Sequence, residues 1–182
     1  MGKVHREIGD ELQGFIESQK VFFVSTAPLG ADGHINISPK GLDALRILAP
    51  GRIAYLDLYG SGIETVAHLR QNGRITVMFC AFQGPPRIVR LYGRGQPTHP
   101  GEAEFQMLRP LFPVMPGERS IIVIEVERVA DSCGFAVPLY KFESQRTQLL
   151  AAAEKRGPAG VADYCRQNNA TSIDGLPGLA GA

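Results

Sequence analysis

The run Gly33-His34-Ile35-Asn36-Ile37-Ser38-Pro39-Lys40-Gly41 alternates in character: residues 34, 36, 38 and 40 carry hydrogen-bonding or charged groups, while 35 and 37 are isoleucines. Successive side chains of an extended chain point to opposite faces, so the pattern predicts a strand over 34–40 with one polar and one apolar face. Pro50-Gly51 then marks a turn, and Ile53-Ala54-Tyr55-Leu56-Asp57-Leu58 predicts a second strand over 52–58. Gly60-Ser61-Gly62-Ile63-Glu64-Thr65 follows as a turn opening a helix. Ser61 and Glu64 stand at capping-box spacing, in which a hydroxyl and a carboxylate satisfy free amides of the first turn. Ile63, Val66, Ala67 and Leu69 supply an inward face, and Asn72-Gly73 a C-terminal stop. Polar strand, second strand and helix start make a candidate cradle for an anion.

On the N-terminal side, Ile8, Leu12, Phe15 and Ile16 recur at helical spacing and predict an amphipathic helix over 5–18. Val21-Phe22-Phe23-Val24-Ser25-Thr26 reads as a buried strand, and Pro28 with Gly30-Ala31-Asp32-Gly33 as a turn, so residues 20–39 form a hairpin. Beyond Gly73, residues 74–83 are apolar on both faces, as in a central strand. Gly84-Pro85-Pro86 ends it, and 87–95 returns as a strand with Ile88, Arg90, Tyr92 and Arg94 on one face. Thr98-His99-Pro100 opens a short helix, prolines 110, 113 and 116 break the stretch after it, and 121–129 is the last strand. Residues 141–170 read as two short helices split at Gly157-Pro158, and 172–178 as extended or turn-rich. These six strands do not alternate regularly with helices, which excludes a doubly wound parallel sheet and predicts a small antiparallel barrel with flanking helices.

Composition narrows the function classes. A 182-residue chain with 44% apolar and 20% charged residues is that of an ordinary globular domain. A net charge of +1 provides no global attraction for nucleic acid or a membrane surface, so any anion site is local. No apolar run reaches membrane-spanning length and the N-terminus has no signal-peptide pattern, so a cytoplasmic location is the expectation. Cys80, Cys133 and Cys165 are widely spaced and odd in number, and read as buried reduced thiols. The four histidines have no zinc-ligand spacing, and no metal site is expected.

Three groups are candidates for the anion site. The helix start at Ser61 either presents free amides to a phosphate or only caps the helix. Lys40, with Asn36 and Ser38, either faces a ligand or is solvated at a strand end. Arg87, Arg90 and Arg94 either hold a phosphate bidentately or blunt an exposed strand.

The order of these parts resembles the pyridoxamine 5′-phosphate oxidase-like family, the FMN-binding split barrels. The resemblance covers roughly residues 15–130. It is carried by Gly33 to Gly41, Tyr55-Leu56-Asp57-Leu58, Gly60 to Thr65, Asn72-Gly73-Arg74 through Phe79, and the Arg87-x-Val89-Arg90-x-x-Gly93 strand. It implies a six-stranded Greek-key split barrel over residues 1–140, with a helical and extended tail over 141–182 packing on it. It also implies a homodimer with two FMN sites at the interface. Position by position, Lys40, Ser38 and Asn36 of the polar strand would face the flavin or its phosphate. Ser61 and Thr65 would sit at the phosphate, and Arg87 or Arg90 would come from the arginine strand.

The chain also departs from the true oxidase. Ile88 replaces the glutamine after the first arginine, Ile63-Glu64-Thr65 stands where the phosphate motif is serine-arginine-lysine, and there is no tryptophan. These departures argue against oxidation of pyridoxamine phosphate. The expected function is a flavin-dependent oxidoreductase acting on an unidentified small molecule, with no catalytic residue assigned. The alternatives are a non-catalytic flavin-sequestering protein and a split barrel holding deazaflavin F420 or haem.

Overall fold

The computed structural model describes residues 2–179. In chain order its elements are β1 (Val4–His5), α1 (Asp10–Ser18), β2 (Phe22–Thr26), β3 (Asn36–Lys40), β4 (Leu45–Ala49), β5 (Arg52–Leu58), α2 (Glu64–Asn72), β6 (Arg74–Cys80), β7 (Ile88–Thr98), α3 (Ala103–Leu108), β8 (Glu118–Ser132) and α4 (Gln148–Asn168). One antiparallel sheet runs in the order β3-β2-β6-β7-β8-β5-β4, with β1 paired onto β8. The edge strands β3 and β4 do not pair with each other, so the barrel is split. The long connection from β5 through α2 to β6 leaves β5 beside β8, a Greek-key exchange.

The expected split-barrel architecture is the one observed, with eight strands among the described residues rather than six. The pattern missed β4 because the left-handed turn into it falls on Leu42 and Asp43, at φ 64° and 55°, residue types that do not signal such a turn, and not on the adjacent Gly41. It missed β1 because two residues show no periodicity. Val4 and His5 pair with Ala130 and Val129, so the helix expected over 5–18 starts only at Asp10. The hairpin of residues 20–39 is confirmed by β2 and β3, which pair from Phe22 with Lys40 to Thr26 with Asn36.

Two apolar layers sandwich β5. Ile53 and Tyr55 face the barrel interior with Val24, Val77, Phe79, Leu91 and Ile124. Ala54 and Leu56 face the other way, against Phe105, Leu108 and Phe112 of the α3 region. Asp57 follows Tyr55 by two residues and therefore lies on the interior face near the barrel's end. At the β7–β8 bulge, a Cβ on Gly93 would stand 2.1 Å from the Glu125 carbonyl oxygen, so only glycine allows the two backbones to approach so closely.

The expected break at Gly157-Pro158 is present as a kink inside α4, with Gly157 at φ 67° and ψ 171°. Residues 141–147 are not helical. Val161, Ala153 and Cys165 of α4 pack on Tyr59, joining the tail to the barrel. Thr171 bridges to Pro177 in the turn-rich end, and residues 180–182 of the expected tail lie outside the described residues. Cys80 and Cys165 are buried as expected, but Cys133 is exposed. No helix among the described residues is long and apolar enough to cross a membrane.

Candidate functional site

Strand β3 inverts the usual rule. Asn36, Ser38 and Lys40 are on the half-buried side of β3, while Ile35 and Ile37 are 74% and 64% exposed. A polar row turned inward needs partners, because an unpaired buried polar group is costly.

Lys40 finds its partner across the split. Its Nζ donates to Asp57 Oδ1 at 3.0 Å, joining β3 to β5, which are not neighbours in the sheet. The ammonium also stands 5.9 Å from the centre of the Tyr55 ring. Asp57, only 1% exposed, takes a second cation on its other oxygen: Arg119 donates from Nε at 2.8 Å and approaches with Nη2 at 2.7 Å. Burial opposes ionisation of Asp57, but the charges of Arg119 and then Lys40 outweigh it and hold the carboxyl at about 2. Arg119 Nη1 donates to the Gly62 carbonyl at 2.8 Å and to Asn169 Oδ1 at 2.9 Å, and Asn169 Nδ2 donates to the Gly60 carbonyl at 3.0 Å. The turn between β5 and α2 is thus tied down from β8 and from the tail.

The other half of the wall is neutral. Asn36 Nδ2 donates to Thr65 Oγ1 at 3.0 Å and lies 3.5 Å from Thr26 Oγ1, while Ser38 Oγ donates to Asn36 Oδ1 at 3.2 Å. Thr26 Oγ1 pairs at 3.0 Å with Nδ1 of the fully buried His68. Burial pushes the His68 imidazole down and the Tyr55 phenol well up from their ordinary values, so both are neutral near pH 7.

Asn36, Ser38, Lys40, Thr65 and Arg119 border a cavity of about 940 Å³, at the large end of the ~300–1,000 Å³ usual for ligand pockets. Among the described residues its charged lining is Lys20, Lys40, Arg119 and Arg146 against the single carboxylate Glu64, with Asp57 buried behind them. A chain of net charge +1 therefore concentrates cationic groups here. The far wall is tail, including Phe142 and Leu149. It is held by the Tyr140 amide donating to the Phe82 carbonyl at 2.8 Å and Gln145 Nε2 donating to the Lys20 carbonyl at 2.9 Å.

Of the residues expected at the site, the structure brings Asn36, Ser38, Lys40 and Thr65 together and leaves three outside. Ser61 is exposed and does not line the cavity. The expected capping box is absent: Ile63 is the N-cap, no side chain caps the helix, and Glu64 Oε1 instead accepts from the Ile173 amide at 3.3 Å. Arg87 is bound to Glu11 at 2.7 Å and Asp131 at 2.9 Å and covers the Phe15 ring, tying α1 to the barrel. Arg90 points outward from β7, where Ser132 Oγ accepts from it at 3.2 Å.

Sequence reasoning missed Arg119 and Asn169, and gave no role to Asp57. A carboxylate within the apolar run 53–58 was the available signal, since a buried charge requires a partner. Reading the last strand from 121 left Arg119 just outside it.

Residues 8–133 match the family described as pyridoxamine 5′-phosphate oxidase. The chain is 38% identical over 199 residues to the pyridoxamine 5′-phosphate oxidase family protein ustO of Aspergillus flavus, covering 98% of this chain and 78% of that protein. Its fold is similar to that of HupZ from Group A Streptococcus, with a TM-score of 0.51 at 23% identity over 67% of this chain and 91% of that one. It is also similar to that of a FAD-binding protein from Mesorhizobium loti, with a TM-score of 0.50 at 13% identity over 72% and 95% of the two chains.

Proposed function

The chain belongs to the pyridoxamine 5′-phosphate oxidase family, and on that premise we propose that it binds flavin mononucleotide in the β3–β5 cavity and acts as a flavin-dependent oxidoreductase. The observation that carries this reading is the excess of cations on the cavity wall, two of them held in place by one buried carboxylate. A dianionic phosphate needs several donors and a compensating charge. Lys40 has two N–H groups beyond the one given to Asp57, and the Thr65 hydroxyl accepts from Asn36 while keeping its own proton to donate. Ser38 gives its proton to Asn36 and so offers lone pairs, which suit a ring N–H or a sugar hydroxyl of the ligand better than its phosphate. The Mesorhizobium loti protein that shares the fold is described as FAD-binding, which supports a flavin as the ligand class.

The flavin would supply the electron transfer, and the protein binding, orientation and a shielded wall. Purified protein is expected to be yellow and to release FMN, identified by mass spectrometry, on denaturation. Turnover of NADH or NADPH with an electron acceptor, above that of free FMN, is the expected activity. Colourless protein that takes up no added FMN would sink the proposal, and flavin uptake without turnover would reduce it to sequestration.

The proposal includes a homodimer. Ile35 just before β3, Ile37 on β3 and Tyr92 on β7 are exposed, the kind of apolar surface that a second copy would cover. Arg90, on the outward face of β7, would then be available to the second protomer's cavity. Sedimentation as a dimer at micromolar concentration is expected; a monomer would count against this arrangement.

A further inference from the structure

We propose that Asn169, contributed by the tail, is a positioning residue for the anion end of the cavity; this rests on the FMN reading above. Asn169 lies beyond residues 8–133 that match the family, and it is completely buried. Its backbone is fixed at the end of α4 by its amide donating to the Cys165 carbonyl at 2.8 Å, and by its carbonyl accepting from the Leu179 amide at 2.9 Å. Its side chain uses both ends, with Oδ1 accepting from Arg119 and Nδ2 donating to the Gly60 carbonyl.

The geometry makes this more than packing. A guanidinium has five N–H groups in one plane. Three of those of Arg119 donate hydrogen bonds, Nε to Asp57 and the two Nη1 protons to Gly62 and Asn169, while Nη2 forms an ion pair with the same Asp57 oxygen. Those three bonds hold the rigid plane, so the amide of Asn169 helps set where Nη2 and the charge of Arg119 are presented. The same amide holds the Gly60 end of the turn whose Gly62 end Arg119 holds. Arg119, Gly60 and Gly62 all line the cavity. The tail thus completes the site, and a barrel without it would have Arg119 secured only by Asp57 and Gly62.

Charge provides a test. Lys40, Arg119 and Asp57 together carry one net positive charge. Asn169→Asp keeps an acceptor for Arg119, loses the donor to Gly60, and cancels that excess. The full-length variants N169D and N169A would be titrated with FMN and with riboflavin, which lacks the phosphate. N169D is expected to weaken FMN about tenfold or more, the scale of one unit charge acting at partly screened range, and riboflavin less than about threefold. N169A is expected to lower FMN affinity about 3- to 10-fold with riboflavin unchanged. Val161→Ala, in the same helix and packed on Tyr59 without a hydrogen bond to the Arg119 cluster, is expected to lower thermal stability and leave the FMN-to-riboflavin ratio intact.

A wild-type preference for FMN whose ratio survives in both Asn169 variants would overturn the positioning role while leaving the FMN reading standing. No wild-type preference for FMN would overturn both. Should N169D fail to fold, the N169A ratio alone decides between the two outcomes.

Discussion

Replacing Asp57 by asparagine is expected to lower unfolding free energy by about 3–5 kcal/mol, because it strands a buried guanidinium without its counter-charge. For a chain of this length that corresponds to a fall in Tm of roughly 6–20 °C. The size follows from the geometry: Asp57 accepts from Lys40 on one oxygen and from Arg119 on the other, and all three meet at the open end of the barrel. Lys40 can turn to water when released, whereas Arg119, at 8% exposure, cannot.

The same ion cluster sets a pH dependence. The Asp57 carboxyl is held at about 2 in the folded chain, below its ordinary value of 3.8, so the unfolded chain binds its proton first as pH falls. The contribution is therefore complete above roughly pH 5 and is lost as pH drops through about 4 toward 2. Its size by linkage is about 2 kcal/mol. That is less than the cost of deletion, since protonation leaves the carboxyl in place to accept hydrogen bonds. Thermal melts of wild type and D57N between pH 7 and pH 2.5 would measure both effects. The gap in Tm should narrow on acidification, and a D57N protein melting within about 2 °C of wild type at pH 7 would remove the cluster from the account of stability.

The fold was legible wherever a local signal and a tertiary partner agreed. Asn72-Gly73 predicts the helix stop, and Gly73 closes α2 at φ 69° with its amide donating to the Leu69 carbonyl. Gly157-Pro158 predicts a break that appears as the α4 kink. Legibility failed where the partner came from far along the chain. Glu64 has the spacing of a capping box, but Ile173 takes its carboxylate, 109 residues away. His34 is an exposed residue whose partner was not legible: Asp174, 140 residues away, accepts from its amide at 2.8 Å and meets its ring at 2.6 Å. Alternation along 34–40 correctly gave two faces but could not say which turned inward. The hydrophobic expectation is reversed here because the inner side borders a charged cavity instead of the core. Lys40 was visible as a candidate cation. Its counter-charge on β5, and the Arg119 that shares it, became visible only when the chain folded them to one end.

Lys40→Ala should separate binding from stability, the opposite of the Asp57 result. Removing Lys40 leaves Asp57 paired with Arg119 through Nε and Nη2, so the buried carboxylate keeps its charge partner. The stability cost is expected to be about 1 kcal/mol, as for a partly exposed ion pair. The ammonium, however, is the cation on β3 itself, beside Ser38 and Asn36, and in the proposed complex it makes a charge-assisted hydrogen bond to the phosphate. Loss of such a bond is worth about 1.5–3 kcal/mol, or roughly 10- to 100-fold in the Kd for FMN. Riboflavin, without the phosphate, should bind the variant nearly as it binds wild type. Lys40→Arg should recover part of the FMN affinity, because charge returns while the wider fork divides itself between Asp57 and the ligand. Fluorescence titration of the apoprotein variants with both flavins measures each of these affinities. Equal affinity of wild type and K40A for FMN would move the phosphate away from β3 and leave Lys40 as nothing more than the strut between β3 and β5.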